Sequence, residues 1–424
     1  MSIQESRQHT VDSKKESRKH VVDSTQKGES SSLSTVYRLL STEKGLLSTK
    51  AGFSLVELMI TMVVFLLIIA SASSVFTSLL TQFKQQSKIA ETNIEGAIGL
   101  EILRRDLESA GYGLPWNVEV DGDGDGNDWE QLVGYCEAVS DATITPNPTT
   151  FNNGSSADPC PAAVTAGSSP LAVRSGDNTG WNGADYLVIK STAVARNNTV
   201  RRWTWLRTLN VKDDDLSGES FVAADRIIVI SPGSTDANSR LLILSGGAFS
   251  NTYNNTTGYA PADSSEVRLI YGVDDNTALR MPFNRADYFI KVPATMPSAC
   301  APNTGIFYKG TLNHGDGRIT ELPVLDCVAD MQVVFYLDTN ADGTIDTTLD
   351  SIAALTAQNI RDQVKEIRVY ILSHEGQRDA AYTYPNPTIT VGPGGGFGRA
   401  FNLGANLNYR WKVYTLVVRP NNLR

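Results

Sequence analysis

An uncharged stretch of 26 residues, Leu58 to Phe83, constrains this chain more than any other feature of its sequence. It contains Val63-Val-Phe-Leu-Leu-Ile-Ile69, and no proline occurs between Phe53 and Leu114. As a helix the stretch is about 39 Å long, enough to cross a ~30 Å hydrocarbon core. Thirteen Leu, Ile, Val and Phe residues lie between Leu55 and Phe76. At about −0.3 to −0.6 kcal/mol each, they outweigh the ~3 kcal/mol of one carboxylate near the segment end. Glu57 therefore does not prevent insertion. The run is too long for an ordinary signal peptide, and no small-residue cleavage site follows promptly. The expectation is a single-pass helix over 53–110, membrane-spanning in about 55–80.

Charge is divided around this helix. Residues 1–52 carry nine Lys/Arg and six Asp/Glu, a net of +3, so the remainder carries −12 of a total of −9. A basic start before an apolar run and an acidic remainder is the asymmetry of an exported, membrane-anchored protein. The overall acidity, with a pI near 5.1, argues against nucleic acid as a partner. Residues 1–36 are polar, and a period of 11 relates Glu5-Ser-Arg-Gln-His-Thr-Val-Asp-Ser13 to Glu16-Ser-Arg-Lys-His-Val-Val-Asp-Ser24. Such a segment buries too little to order itself and reads as disordered.

Past the membrane segment the helix continues through Lys84-Gln-Gln-Ser-Lys88 to about Ser109. Leu100, Leu103 and Leu107 form a stripe that a globular head can cover. Gly111-Tyr-Gly-Leu-Pro115 stops the helix. Residues 111–424 then have the texture of β structure. Apolar runs such as Tyr186–Lys190, Arg226–Ile230, Val267–Tyr271, Gln332–Tyr336, Glu366–Tyr370 and Trp411–Val418 are separated by Gly, Asn, Asp and Pro clusters. Segments 142–183 and 379–408, rich in Gly, Ser, Asn and Pro, read as long loops, with Gly392-Pro-Gly-Gly-Gly-Phe-Gly398 as flexible loop rather than phosphate cradle. The fold class is α+β: a long N-terminal helix packed on an antiparallel β-rich head with long loop insertions. Four isolated cysteines, Cys136, Cys160, Cys300 and Cys327, read as two disulfides in an exported domain. Nearest-neighbour pairing gives Cys136–Cys160 and Cys300–Cys327, one of three connectivities.

Directly before the apolar run stands Lys50-Ala-Gly-Phe-Ser-Leu-Val-Glu-Leu58. This resembles the type IV prepilin processing site, where a peptidase cuts after the Gly and methylates the new N-terminus. The resemblance implies cleavage at Gly52–Phe53, N-methylation of Phe53, and a mature chain whose fifth residue is Glu57. In pilins that glutamate is taken to pair with a new terminal amine during filament assembly. Each part has a physical sense. Lys44 and Lys50 hold the leader 1–52 on the cytoplasmic side. Gly52 has no Cβ to obstruct the peptidase. An ionisable group at the edge of a membrane helix is a functional hypothesis by default.

Further segments narrow the likeness. Leu103-Arg-Arg-Asp-Leu-Glu-Ser-Ala-Gly-Tyr-Gly113 resembles the helix end of PilW-like minor pilins. Val267–Tyr271 with Leu279-Arg280, Pro323–Val328 through Asp338, and Tyr409–Arg419 are similar to their strands. The resemblance implies a minor type IV pilin that sits in the inner membrane with its head in the periplasm, then joins a pilus at the cell surface. Its partners would be a prepilin peptidase, other minor and major pilins, and the inner-membrane assembly platform. The leader is longer than is usual there. The rival readings are a minor pseudopilin of type II secretion and a membrane-anchored extracellular adhesin or glycan-binding protein.

Two acidic runs invite a cation. Asp338-Thr-Asn-Ala-Asp-Gly-Thr-Ile-Asp346 places Asp338, Asn340, Asp342 and Asp346 at calcium-loop positions 1, 3, 5 and 9, Gly343 at 6, and Thr344 at 7 to supply a carbonyl. Position 12 is Leu349, with Asp350 next to it. The bland reading is a polar turn between strands. Asp121-Gly-Asp-Gly-Asp-Gly-Asn-Asp-Trp-Glu130 concentrates like charge that either binds a cation or stays in water. Calcium is thus the only cofactor the sequence points to. No H-E-x-x-H or G-x-S-x-G motif occurs, so no enzyme is expected.

Overall fold

The computed structural model describes residues 52–118, 134–158, 160, 168–212, 220–233 and 239–423. The leader before Gly52 and the acidic run 121–130 lie outside the described residues. The chain falls into two compact units, 1–75 and 76–424. One 54-residue helix, α1 (Leu55–Glu108), runs through the boundary, slightly shorter at each end than expected.

The strands follow in chain order: β1 (Asn117–Val118), β2 (Val173–Gly176), β3 (Tyr186–Ser191), β4 (Trp203–Arg207), β5 (Val211–Lys212), β6 (Arg226–Ser231), β7 (Leu241–Leu242), β8 (Ser250–Thr252) and β9 (Arg268–Asp274). Next come β10 (Asn284–Lys291), β11 (Gly305–Leu312), β12 (Ile319–Leu337), β13 (Thr347–Leu349), a short helix α2 (Ala357–Gln363), β14 (Val364–Glu375), β15 (Thr388–Gly394), β16 (Phe397–Asn402) and β17 (Arg410–Val418). The larger sheet has the order β17-β14-β12-β11-β10-β3-β2, with β13 on β12. The smaller runs β1-β7-β6-β9-β4-β5, with β8 on β6, and only its β1–β7 pair is parallel.

One core joins the helix end to both sheets: Leu103 and Leu107 of α1, Val333 and Phe335 of β12, and Ile228 and Ile230 of β6. The larger sheet is apolar on its other face too. Val334 and Leu372 there meet Ile389 and Val391 of β15. Two covered faces explain why β12 carries the unbroken run Val333-Val-Phe-Tyr-Leu337 rather than an alternating one.

Two expectations need correction. Residues 379–408 are not one long loop, because β15 and β16 pair as a hairpin. Its glycine-rich tip is ordered turn: Gly392 to Gly398 includes five glycines at positive φ, and a Cβ on Gly398 would meet the Val391 carbonyl at 2.2 Å. The glycines are there for backbone geometry, and Thr388-Ile-Thr-Val391 is the alternating strand they obscured. Likewise 142–183 contains β2 and buries Phe151 and Val173. Leu279 and Arg280 lie outside any strand.

Candidate processing and assembly site

Gly52, Phe53 and Ser54 precede α1 in non-helical conformation. The Ser54 Oγ accepts the Glu57 backbone N–H at 3.1 Å, and the Ser54 carbonyl accepts from Leu58 N–H at 3.2 Å. Ser54 is therefore the N-cap and Glu57 stands at N3, the spacing of a capping box. The helix start is fixed two residues beyond the Gly52–Phe53 bond. A carboxylate in the first turn also faces the positive end of the helix dipole. Gly52 has nothing within 4 Å of where a Cβ would sit. Every large apolar side chain from Phe53 to Phe83 is exposed, and α1 is long and apolar enough to cross a membrane.

In the second unit α1 obeys other rules. Gly99 approaches the sheet so closely that a Cβ would lie 2.3 Å from the Val324 carbonyl oxygen. Asp106, almost fully buried, accepts the Tyr288 hydroxyl at 2.7 Å and pairs with Lys309. Burial pushes its carboxyl above the usual range against the pull of Lys309. Sequence reading placed Asp106 in a likeness but gave it no partner.

A buried ionic centre was also missed. Arg285 on β10 stands directly opposite Lys190 on β3, two like charges side by side and fully buried. Glu137 lies between them, its Oε2 2.7 Å from Lys190 Nζ and 3.0 Å from Arg285 Nη1. Its Oε1 accepts the backbone N–H groups of Asn153 and Gly154. Desolvation raises the Glu137 pKa, but Lys190 and Arg285 prevail and hold it below the ordinary range. Arg285 makes a two-pronged bond to Asp287, which also accepts the Tyr186 hydroxyl. The faint signal was two charges, Arg285 and Asp287, at period two in a strand that is apolar elsewhere except at its ends, Asn284 and Lys291.

Cys136 is bonded to Cys160, and Cys300 to Cys327, with Cα separations of 5.9 and 4.9 Å. The first bridge holds the residue next to Glu137. The loop 338–346 is the turn between β12 and β13. Asp338 is buried and accepts the backbone N–H groups of Asp342 and Gly343. Asp342 accepts from Thr344 N–H, and Asp346 from Thr339 and Asn340 N–H. The Thr344 hydroxyl bond holds Asp342 below the usual carboxylate range, and that of Thr347 does so for Asp346. Among the described residues, no group of three His, Cys, Asp or Glu is gathered as a metal site. His314 and His374 sit apart: His314 Nδ1 accepts from Arg280 N–H, and His374 Nε2 from Ala301 N–H.

Residues 47–73 match the family model for the prokaryotic N-terminal methylation motif. No curated protein and no solved structure matches the chain. The match spans the Gly52–Phe53 bond, the capped helix start and most of the apolar run. It supports a type IV pilin-like or pseudopilin protein, and implies processing by a prepilin peptidase and pilin partners.

Proposed function

We propose that this chain is a PilW-like minor type IV pilin, a structural subunit that primes or joins a pilus after its leader is removed. One observation carries the reading: the methylation-motif match runs into a capped helix with Glu57 at its third position and no charge from Leu58 to Phe83. The apolar surface of 53–83 is held first by the bilayer and then by neighbouring pilin helices, as the assembly platform lifts the subunit from the inner membrane. Glu57 pairs with a terminal amine in that bundle, where an unpaired carboxylate is unfavourable. Ile94 and Ile98, both exposed on α1, extend the apolar contact beyond the membrane. Two disulfides agree with an exported head. Calcium binding by the 338–346 turn is a further part of the proposal.

Mass spectrometry of sheared filaments provides the test. The chain is expected there with N-methylated Phe53 as its first residue. An intact leader in assembled filaments overturns the reading. Deletion of the gene separates pilus from secretion: loss of surface pili with normal secretion supports the minor pilin, and the reverse supports a pseudopilin.

A further inference from the structure

Two adjoining grooves in the second unit have no role in filament formation as described above. The larger, about 580 Å³, lies between the β16 strand, the Asn182 turn and the loop after Cys300. The smaller, about 350 Å³, lies on the other side of a ridge made by Pro302 and Asn303, which line both. Together they have the size range of small-molecule sites. Among the described residues, neither is lined by a carboxylate or a lysine.

The lining has a particular chemistry. Asn182, Asn303, Asn402 and Asn406 place four amides on the larger groove, each offering a donor and an acceptor in one plane. Among the described residues, no hydrogen bond reaches the side chains of Asn182 and Asn303, and both residues are held at positive φ, 54° and 60°. The single charged group, Arg399, is already neutralised. Its Nη2 lies 2.8 Å from Asp330, and its Nη1 donates to the Asn182 carbonyl. Phe401 and Trp411 give the larger groove aromatic surface, and half-buried Trp181 gives it to the smaller.

We propose that this pair of grooves binds a neutral oligosaccharide, one or two sugar units on each side of the Asn303 ridge. Vicinal hydroxyls match planar amides, and the C–H faces of sugar rings match the negative faces of aromatic rings. The neutralised arginine and absent lysines disfavour an anion; the absent carboxylates disfavour a cation. An extended peptide running along β16 is also disfavoured. The Leu403–Asn406 turn closes that end, with Asn406 N–H bonded to the Leu403 carbonyl and Asn406 Nδ2 bonded to the Pro302 carbonyl.

The test uses the full chain in a zwitterionic detergent that carries no sugar. Cellotetraose, chitotetraose and maltotetraose are titrated to about 10 mM, a range that detects binding of ~3 kcal/mol, followed by tryptophan fluorescence and calorimetry. At least one is expected to bind. Asn303→Ala and Phe401→Ala should each weaken it about tenfold, equivalent to ~1.4 kcal/mol. Asn303 is exposed, so its variant loses no packing and should melt only slightly below the wild type, by the small cost of alanine at positive φ. Failure of all three sugars overturns the proposal, as does binding that neither variant changes. Capture of an uncharged Gly/Asn/Thr hexapeptide in place of any sugar also overturns it and makes the groove a peptide site. The result does not depend on processing at Gly52, so it stands apart from the pilin reading.

Discussion

The first and last parts of α1 are built on opposite terms. From Leu55 to Phe83 every large apolar side chain is exposed, and beyond Glu57 no charge occurs. From Gly99 to Leu107 the helix lays glycine and leucine against the sheet and buries one paired carboxylate, Asp106. The first stretch needs only to be uniformly apolar, as any helix long and apolar enough to cross a membrane is. The second must match particular atoms at Val324, Tyr288 and Lys309. Changes to the first should act through partners and leave head stability alone. Changes to the second and to the head should do the reverse.

The largest expected effect tests the first half of that statement. Gly52→Trp should abolish leader removal, because the peptidase meets a bulky side chain where the native chain has none. Immunoblotting would show only the long form, while the melting temperature of the head stays unchanged. A head that melts lower would break the separation of the two regions.

Glu137→Ala should be the most damaging single change to the head. It leaves buried Lys190 without a carboxylate beside Arg285, which keeps only Asp287, a loss of about 3–5 kcal/mol for a broken buried pair. Urea unfolding measures it, and leader removal should proceed normally. A loss under ~1 kcal/mol would mean that the charges find water or another partner.

A pH series examines the head's buried polar groups further. Burial holds His314 down at about 4, below its ordinary 6.5. Between those values the unfolded chain binds a proton that the folded chain does not, so this group makes stability rise with pH. Asp185 and Asp330 act oppositely. Desolvation pushes them up to about 7 and about 6, so stability falls as pH rises from 3.8 through those values. His314→Gln removes its own rising contribution and leaves that of His374, which burial likewise holds down at about 4. The wild-type advantage over the variant should grow by about 3 kcal/mol from pH 4 to 6.5. A constant difference would show that His314 is protonated in the fold.

The same kind of substitution in both parts of α1 sharpens the contrast directly. Gly99→Val forces a side chain against the Val324 carbonyl and should destabilise the head by about 1–3 kcal/mol. Ala72→Val, in the exposed stretch, should leave the head's urea midpoint unchanged.

How much was legible follows from these differences. The apolar run, the methylation motif around Gly52 and the leucine stripe were readable because each is a local pattern. The capping role of Ser54 was equally readable from Ser-x-x-Glu and was overlooked. Asp106–Lys309 and the Glu137 centre were not, since their members lie far apart in sequence and only the sheet register sets Lys190 opposite Arg285. The β15–β16 hairpin was hidden by its own turn chemistry: five glycines at positive φ read as looseness when they are conformational requirements.

The smallest expected effect concerns the turn 338–346, which lies between the two extremes. It is polar and exposed at Asn340, Asp342 and Asp346, yet it is tied to the core through buried Asp338 at the end of β12. Its carboxylates already accept backbone N–H bonds, so the turn has its shape without an ion. Calcium would therefore add little order and would act mainly by mass action on the folded state. At ten times its Kd the gain is about 1.4 kcal/mol, a shift of a few degrees in melting temperature. Asp342→Ala should remove most of that shift while leaving β12 and β13 paired. Calorimetry of the full chain with and without millimolar calcium decides the matter. If wild type and variant melt together in both conditions, the segment is a turn and nothing more. A shift that survives Asp342→Ala but vanishes when Asp121, Asp123 and Asp125 are neutralised moves the ion to the other acidic run.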